Sequence, residues 1–309
     1  MKINKIKINN FIKKFPDITK SGVSFSQISS IGIGGEIGAV CDVRNTRELA
    51  DVLSYLKAQN LPYLILGNGT NIVGSDKGFF GVVIRLVEEF RQVSKRGENV
   101  VAGAGANMFV LGKKLQEFSL GGLEFAYGIP GSVGGCVFMN AGAFGGSIGD
   151  KVLWVEVLEN NEIKKYFNKK CNFSYRKSIF SQKRDEFCDN FPIIMRVCFK
   201  LEKKDSQAIL EKQEQYFEKR KQTQPYSFRS AGSVFKREGE FIPAKAIDEL
   251  GLKGKTFGGA AVSKKHSGFI VNLGSATCQD FLNLVSYIQN LVYNNYKQKL
   301  ELEIQVLGD

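Results

Sequence analysis

The feature that most constrains this chain is a run of glycines between residues 121 and 146, which reads GGLEFAYGIPGSVGGCVFMNAGAFGG. Nine of the chain's 33 glycines fall within these 26 residues. Clustered glycine costs backbone entropy on folding, so it is expected where main-chain N–H groups approach a ligand or adopt positive φ. No charge occurs from Phe125 to Gly149, whereas flexible linkers are rich in polar residues. The run therefore predicts an ordered loop that wraps a ligand, with N–H groups suited to phosphate oxygens. A glycine-rich structural crossing is the alternative.

Length and charge limit the classes of protein to consider. A chain of 309 residues is long enough for two or three domains with separate cores. Its 43 basic and 31 acidic side chains leave a net charge of +12, which by itself would suit a nucleic-acid-binding protein. However, the lysines are spread along the chain, and no basic stripe alternates with aromatic residues. The charge also suits an enzyme whose ligands carry diphosphates, and we expect no nucleic-acid partner.

Neither a membrane segment nor a metal site is predicted. No apolar run approaches the ~20 residues that a membrane-spanning helix needs, and the basic residues 1–15 lack the apolar core of a signal peptide. They predict a short basic helix, and the chain is expected in the cytoplasm. Cysteines without metal-ligand spacing occur at Cys41, Cys136, Cys171, Cys188, Cys198 and Cys278. Because the chain has a single histidine, His266, these cysteines are expected to be reduced structural thiols.

Apolar periodicity and capping residues predict both helices and strands. Asn45 followed by Glu48 is a typical helix start, and apolar residues at helical spacing support the other helices. Helices are predicted over 45–59, 107–118, 206–222, 244–250 and 277–296. Strands are predicted over 63–66, 82–86, 152–158, 197–201 and 300–307. Strict alternation in the last strand predicts one face of Leu300, Leu302, Ile304 and Val306 and another of Glu301, Glu303 and Gln305.

Three glycine-containing loops are candidates for cradling phosphates. The first follows the strand at 63–66 and consists of Gly67, Asn68, Gly69, Thr70 and Asn71. The second is GAGAN at 103–107, and the third is the run at 121–146. The first loop is not GxGxxG and has no acidic residue about 20 positions later, which disfavours a Rossmann dinucleotide site. Three such loops in one chain point to a large dinucleotide such as FAD, although a tight turn would explain the first loop alone.

Three further segments carry polar side chains suited to catalysis. In FSYRKS, the planar guanidinium of Arg176 can clamp a carboxylate, with a surface turn as the alternative. In AGSVFK, Ser233 lacks the GxSxG context of a hydrolase nucleophile, and the lone His266 offers no obvious triad order. If Ser233 acts, it is expected to donate a proton. Glu303 lies on the polar face of the last predicted strand, which either faces solvent or lines a cleft.

The order of these motifs resembles that of one family. GNGTN, GLEFAYGIPGSVGG with MNAGA, FSYRKS, AGSVFK, VSKKHSGFIVN and LELEI occur here in the order found in UDP-N-acetylenolpyruvoylglucosamine reductases, flavoenzymes of bacterial peptidoglycan synthesis. The resemblance covers roughly residues 28–309. It implies an α+β fold with a two-part FAD-binding domain of the vanillyl-alcohol oxidase (PCMH) type and an α+β substrate-binding domain. The implied boundaries are 1–27 for an N-terminal lead-in, 28–80 for the first flavin-binding subdomain, 81–222 with 298–309 for the second, and 223–297 for the substrate-binding domain.

The resemblance also implies a reaction and the residues that perform it. A monomer would pass a hydride from NADPH through FAD to the enolpyruvyl sugar nucleotide, with these small molecules as its partners. FAD is expected to be non-covalent because no histidine or cysteine of the flavin-cradling segments fits a covalent-attachment pattern.

The residues that match the family's catalytic positions are Arg176, Ser233 (the proton donor) and Glu303. Cofactor contacts are expected from Gly67, Asn68, Gly69, Thr70, Asn71, Tyr127, Gly128, Pro130, Gly131, Ser132, Gly134, Gly135, Asn140 and Gly142. Substrate contacts are expected from Tyr175, Lys221, Lys236 and His266. A side chain added at Gly134 is expected to intrude on the diphosphate.

The chain departs from the family pattern at two places, and two rival interpretations remain open. Leu302 stands where the family usually has proline between its two glutamates, and Arg237-Glu238 follows AGSVFK where Asn-Pro or Arg-Pro is common. The spacing around 180–192 favours the subtype that lacks an extra substrate-covering loop. Another flavin oxidase of the same superfamily would share GNGTN but not the later motifs. A basic polynucleotide-binding protein is favoured by the net charge alone.

Overall fold

The computed structural model describes residues 2–185 and 191–308. Its α-helices are α1 (Lys2–Lys14), α2 (Phe25–Ile28), α3 (Thr46–Ala58), α4 (Met108–Glu117), α5 (Val133–Phe138), α6 (Asn168–Cys171), α7 (Ile179–Asp185), α8 (Ser206–Thr223), α9 (Pro243–Glu249) and α10 (Cys278–Tyr296). Its strands are β1 (Thr19–Lys20), β2 (Val23–Ser24), β3 (Glu36–Val43), β4 (Tyr63–Ile65), β5 (Ile72–Gly74), β6 (Phe79–Leu86), β7 (Val93–Arg96), β8 (Asn99–Gly103), β9 (Leu120–Gly121), β10 (Gly142–Ala143), β11 (Gly146–Ser147), β12 (Val152–Glu159), β13 (Glu162–Phe167), β14 (Ile193–Lys200), β15 (Glu202–Lys203), β16 (Arg229–Ser233), β17 (Thr256–Phe257), β18 (Ala260–Val262), β19 (Phe269–Asn272) and β20 (Gln305–Leu307).

The predicted helices are confirmed, and four of them, α3, α4, α8 and α10, begin at a side chain that accepts a backbone N–H. The predicted helices correspond to α3, α4, α8, α9 and α10, and the basic N-terminus forms α1. The Asn45 side chain accepts the Glu48 N–H at 2.9 Å at the start of α3. At α10, Thr277 and Asp280 form a reciprocal capping box. The strands predicted before residue 202 correspond to β4, β6, β12 and β14, of which β6 and β14 begin earlier than predicted.

Three sheets form the framework. The first has the order β1-β3-β6-β4, with β2 also on β3, and its strands β3, β6 and β4 run parallel. The second is antiparallel, in the order β13-β12-β14-β8-β7. The third is antiparallel, in the order β16-β19-β18-β17. At the C-terminus, β20 pairs in parallel with β5, which brings the last residues beside the loop at 67–71.

Two large apolar cores hold these sheets. Ile84 of β6, Leu111 of α4 and Val155 of β12 belong to one buried cluster, so the first two sheets share a core. Under the third sheet, the predicted apolar face of α10 is buried at Phe281, Leu284 and Ile288. This second core also includes residues 31, 33, 73 and 304 from distant parts of the sequence. The third sheet is therefore packed against the loops of the rest of the molecule.

The prediction of a continuous C-terminal strand is wrong. Only Gln305–Leu307 form β20, while Leu302 makes an isolated antiparallel bridge with Phe235. The backbone bends between these two pairings, and the bend interrupts the alternation of faces. The side chain of Glu301 is consequently 74% exposed, whereas that of Glu303 is 13% exposed. The two glutamates do not share a face, and the second one points inward.

The described cysteines are free and buried, as expected for structural thiols: Cys41, Cys136, Cys171, Cys198 and Cys278. Cys188 lies outside the described residues, as does the middle of the segment at 180–192 on which the subtype prediction depends. Within residues 2–185 and 191–308, no helix has the length and apolar character needed to span a membrane.

Candidate active site

Two cavities share part of their walls, and the predicted catalytic residues lie where they meet. The larger cavity has a volume of about 1690 Å³ and the smaller one about 980 Å³. The residues that line both are Gly142, Ala143, Phe144, Arg176, Ser233, Arg237 and Glu303. We call this shared wall the junction. Segments that are more than a hundred residues apart in sequence thus meet at one place.

The predicted phosphate-cradling loops line the larger cavity. All five residues from 67 to 71 contribute to its wall, and so do Pro130, Gly131, Ser132, Gly134 and Gly135. Ser132 is the N-cap of α5, and its Oγ accepts the Gly135 N–H at 3.2 Å. Gly69 adopts a φ of +63°, a conformation that favours glycine. Glycine-rich backbone therefore forms part of the cavity wall.

Two glycines in this wall are required by close packing within the protein. A Cβ at Gly67 would lie 2.3 Å from the Oγ of Ser132. A Cβ at Gly134 would lie 2.8 Å from the Cβ of Ala104. The expected reason for Gly134, intrusion on a ligand diphosphate, is therefore corrected: the side chain would collide first with the GAGAN segment. These glycines let α5 and the loops beside it approach each other.

Arg176 reaches the junction from a strained turn. Ser174 and Lys177 pair with each other through their backbones, and Arg176 lies between them with a φ of +54°. Such a conformation is uncommon outside glycine and is maintained by surrounding contacts. The Arg176 Nε donates to Glu303 Oε1 at 2.6 Å, and Nη2 donates to the Gly142 carbonyl at 3.2 Å. The strained turn therefore carries an Arg176 side chain whose guanidinium is held by two hydrogen-bond partners.

Ser233 is aimed by a bulge at the end of β16. The pairing of β16 with β19 shifts register between Ser230 and Ser233, and Gly232 within the shift has a φ of +86°. A bulge of this kind redirects the side chain that follows it. Ser233 is half-buried and lines both cavities. The glycine of the AGSVFK motif therefore has a backbone role in placing the serine.

Glu303 is tied by its backbone to both halves of the site. Its N–H donates to the Val234 carbonyl at 2.8 Å. Its carbonyl accepts from the Asn71 side-chain amide at 3.1 Å, so Asn71 links the first glycine loop to the segment that carries Glu303. Burial raises the pKa of the Glu303 carboxyl, and the nearby charges of Arg176, Lys236 and Arg237 oppose that rise.

Not all of the predicted ligand contacts border the larger cavity. Tyr127 packs its ring against Phe109 and Phe217, and neither Tyr127 nor Gly128 lines either cavity. The Asn140 side chain lines the smaller cavity, where it donates to the Ser174 carbonyl at 2.8 Å and accepts from the Gly149 N–H at 2.8 Å. Asn140 therefore supports the turn that carries Arg176.

Of the four residues predicted to contact the substrate, two line a cavity and two do not. Tyr175 lines the smaller cavity, and its hydroxyl accepts the Arg237 N–H at 3.2 Å. His266 lines the larger cavity; burial lowers the pKa of its imidazole, whose Nδ1 accepts the Gly268 N–H at 3.1 Å. Lys221 and Lys236 line neither cavity; they pair with glutamates 218 and 301.

Sequence reasoning did not predict the places of Phe144 and Arg220, and it named Arg237 only as a departure from the family pattern. Phe144 and Arg237 belong to the junction, and Arg220 lines the larger cavity. Arg220 is 5% exposed, and its Nε has no hydrogen-bond partner among the described residues. In the sequence it is one of several basic residues of a charged helix. Only its inward direction on α8 distinguishes it from the neighbouring Lys221, which is exposed.

The fold and the cavities define a flavin-binding enzyme. Residues 37–162 match the family model of an FAD binding domain, and residues 224–307 match that of the UDP-N-acetylenolpyruvoylglucosamine reductase C-terminal domain. The chain is 40% identical to the UDP-N-acetylenolpyruvoylglucosamine reductase of Caldanaerobacter subterraneus subsp. tengcongensis, over 96% of this chain and 98% of the relative. It is 41% identical to that of Thermotoga maritima, over 90% and 95%.

A solved structure agrees with these matches. The crystal structure of UDP-N-acetylenolpyruvylglucosamine reductase from Thermus caldophilus superimposes with a TM-score of 0.79 at 34% identity, covering 93% of this chain and 99% of that one. The chain belongs to the UDP-N-acetylenolpyruvoylglucosamine reductase family, the FAD-dependent reductases of peptidoglycan precursor synthesis. The predicted α+β class with an FAD-binding domain is confirmed.

The residues of the larger cavity fit FAD. Its volume of about 1690 Å³ exceeds the roughly 300–1,000 Å³ of ordinary small-molecule pockets. Its wall combines the glycine-rich backbone at 67–71 with the buried guanidinium of Arg220, whose Nε has no hydrogen-bond partner among the described residues. Backbone N–H groups and a buried cation are suited to an anionic dinucleotide.

Proposed function

We propose that this chain reduces UDP-N-acetylenolpyruvoylglucosamine to UDP-N-acetylmuramate, with NADPH as the reductant and non-covalently bound FAD as the carrier of the hydride. The observation that carries the proposal is the meeting of Arg176, Ser233 and Glu303 where the two cavities join. FAD in the larger cavity would supply the hydride from its N5 position. The smaller cavity offers space for the sugar nucleotide. Because one chain supplies all three residues, we propose that it acts as a monomer.

The same proposal divides the chain into domains. We propose a lead-in at 1–27, flavin-binding subdomains at 28–80 and at 81–222 with 298–309, and a substrate-binding domain at 223–297. Two observations support this division: α8 ends at Thr223, and the third sheet begins at Arg229. The return of the chain to β5 through β20 supports the assignment of the last residues to the flavin-binding part.

Arg176 would stabilise the negative charge that develops on the substrate. Addition of a hydride to the enol ether carbon sends electron density toward the neighbouring carboxylate. A guanidinium carries five N–H donors, and the bonds to Glu303 and Gly142 use the Nε and one Nη2 donor. The remaining edge can bind the carboxylate. Because the side chain is already held in place, little reorganisation is needed as the charge forms.

Ser233 would donate the proton that completes the reduction. The carbon next to the one that receives the hydride becomes basic, and the proton must come from a group within hydrogen-bond reach. Ser233 borders both the larger and the smaller cavity. A serine is an unusual acid, so its activity requires a strongly basic carbon and water kept away from it.

Glu303 would position Arg176 and return a proton to Ser233. Its carboxylate accepts the Arg176 Nε–H at 2.6 Å, which fixes the orientation of the guanidinium. The pKa of Glu303 is raised by burial, which makes proton uptake by this carboxyl easier than for an exposed glutamate. Tyr175 and His266 border the cavities and are proposed to contact the sugar nucleotide, as are Lys221 and Lys236 once substrate is bound.

The test separates the two halves of the reaction. Under anaerobic conditions, NADPH should bleach the flavin absorbance of the purified protein. Addition of UDP-N-acetylenolpyruvoylglucosamine should then restore the absorbance and yield UDP-N-acetylmuramate. UDP-N-acetylglucosamine is the matched control, since it lacks the enolpyruvyl group and should leave the flavin reduced. Equal reoxidation by both nucleotides, or by neither, would contradict the proposed substrate.

A further inference from the structure

Arg220 is a buried cation for which the described residues provide no carboxylate. It lies in the last turn of α8, is 5% exposed and lines the larger cavity. Among the described residues its Nε has no hydrogen-bond partner, and its Nη2 makes a long hydrogen bond of 3.4 Å to the Phe125 carbonyl. Burial lowers the pKa of the guanidinium. An unpaired buried charge is costly, so an anionic ligand group is expected beside it.

Phe144 determines where this guanidinium lies. The Phe144 ring stacks on the Tyr216 ring, with centroids 4.8 Å apart and planes inclined by 15°. The guanidinium carbon of Arg220 lies 5.1 Å from the centroid of the same Phe144 ring. Phe144 has a φ of +51°, which is rare for a bulky side chain and indicates that its contacts hold it there. Because Phe144 belongs to the junction, Arg220 lies at the junction end of the larger cavity.

The position of Arg220 indicates which negatively charged part of FAD it would face, the diphosphate or the flavin ring after reduction. The loop at 67–71 lines the cavity with glycine-rich backbone suited to the diphosphate, whereas the N–H groups of residues 133–136 are bonded within the protein. Arg220 instead lies over the Phe144 ring, which belongs to the same junction as Arg176. Bound FAD would accept a hydride, that is two electrons and one proton, from NADPH and release NADP⁺, so its ring system would gain a negative charge that a nearby cation can stabilise.

We propose that Arg220, held by Phe144 and Tyr216, is the counter-charge of the reduced flavin ring and raises the reduction potential of the bound FAD. The inference rests on the proposed function because it requires FAD in the larger cavity. The arginine would stabilise reduced over oxidised flavin and so favour the first half-reaction. Phe144 and Tyr216 would act as positioning residues, because they contact Arg220 or its aromatic support.

The experiment measures the midpoint potential of the holoenzyme by equilibration with a reference dye. In Arg220→Met we expect a ten- to hundredfold weaker preference for reduced over oxidised FAD. For a two-electron couple this corresponds to a potential lower by about 30–60 mV. Arg220→Lys should lie between this variant and the wild type. The control is Lys219→Met: Lys219 is exposed, its Nζ lies 5.6 Å from the same ring, and its loss changes the net charge equally. Its potential should match the wild type.

Variants of Phe144 test the positioning role. Phe144→Leu removes the ring face and should lower the potential in the same direction, whereas Phe144→Tyr keeps the ring and should retain the wild-type potential. If Arg220→Met does not fold, Arg220→Gln and the two Phe144 variants supply the same measurement. A wild-type potential in Arg220→Met or Arg220→Gln, together with weaker binding of FAD but not of riboflavin, would assign Arg220 to the diphosphate and overturn the inference.

The measurement is independent of substrate turnover. Ser233→Ala holoenzyme should keep the wild-type potential whether or not Ser233 donates the proton. Failure of the proposed reaction would therefore leave the potential difference between Arg220→Met and Lys219→Met intact. A failure of this inference would likewise leave reoxidation by the enolpyruvyl nucleotide intact, so the two results can be told apart.

Discussion

Replacement of Ser233 by alanine should separate the two half-reactions. The change removes one hydroxyl and leaves the backbone bonds around it, from Val234 N to Gly268 O at 2.9 Å and from Glu303 N to Val234 O at 2.8 Å. We therefore expect a free energy of unfolding within about 0.5–1 kcal/mol of the wild type. Reduction of the flavin by NADPH is a hydride transfer that needs no proton from Ser233, so its rate should stay near the wild-type rate.

Reoxidation by substrate should slow by at least ~10²-fold in the alanine variant. A positioned general acid contributes about 10²–10⁴-fold, which at about 1.36 kcal/mol for each factor of ten is roughly 2.7–5.4 kcal/mol of activation free energy. Ser233 borders two cavities, so a water molecule can enter the space of the lost hydroxyl and donate the proton less efficiently. This access places the expected effect in the lower part of the range.

Stopped-flow absorbance under anaerobic conditions measures both rates. Ser230→Ala is the control, because it removes a hydroxyl from the same strand β16 three residues earlier. Equal slowing of both half-reactions in Ser233→Ala would indicate damage to the structure. A wild-type rate of reoxidation would refute the reasoning and leave the proton to Glu303 or to water.

The remaining predictions concern four other features. Arg176→Lys should slow reoxidation by about 10²–10³-fold, because lysine cannot hold both Glu303 and a carboxylate in one plane; single-turnover rates check this, and an unchanged rate would exclude Arg176 from charge stabilisation. Gly134→Val should lower the free energy of unfolding by about 1–3 kcal/mol, since its Cβ lies 2.8 Å from that of Ala104, whereas Gly135→Ala meets only the Ser132 Oγ at 3.3 Å and should change it less in urea titrations. Because the pKa of Glu303 is raised in the folded protein, its contribution to stability is present below the ordinary pKa of about 4.5 and is lost as pH rises through the raised value. Denaturation of wild type and Glu303→Gln between pH 4 and 8 should therefore show the wild type losing stability relative to the variant as pH rises; the opposite trend would mean that Arg176 dominates. Acid precipitation should release the flavin into the supernatant, and colour that stays in the pellet would show covalent attachment.

Local sequence signals predicted the helices well because the forces that start a helix act over a few residues. Asn45 and Thr277 bind backbone N–H groups three positions later, so the sequence around them is sufficient. The alternation at the C-terminus was misleading for the same reason. Residues 302 and 305–307 pair with different segments, and the bend between them depends on partners far away in sequence.

The motifs identified Arg176, Ser233 and Glu303, but no local pattern could show that the three would meet. Their meeting depends on a left-handed turn, a bulge in β16 and a bent C-terminal segment. Arg220 could not be recognised at all, since nothing in a charged helix marks which basic residue turns inward. The sequence by itself determined the glycine loops, the helix boundaries and the family. Tertiary structure alone decided which side chains lose water and which keep it, because burial is set by contacts between distant segments.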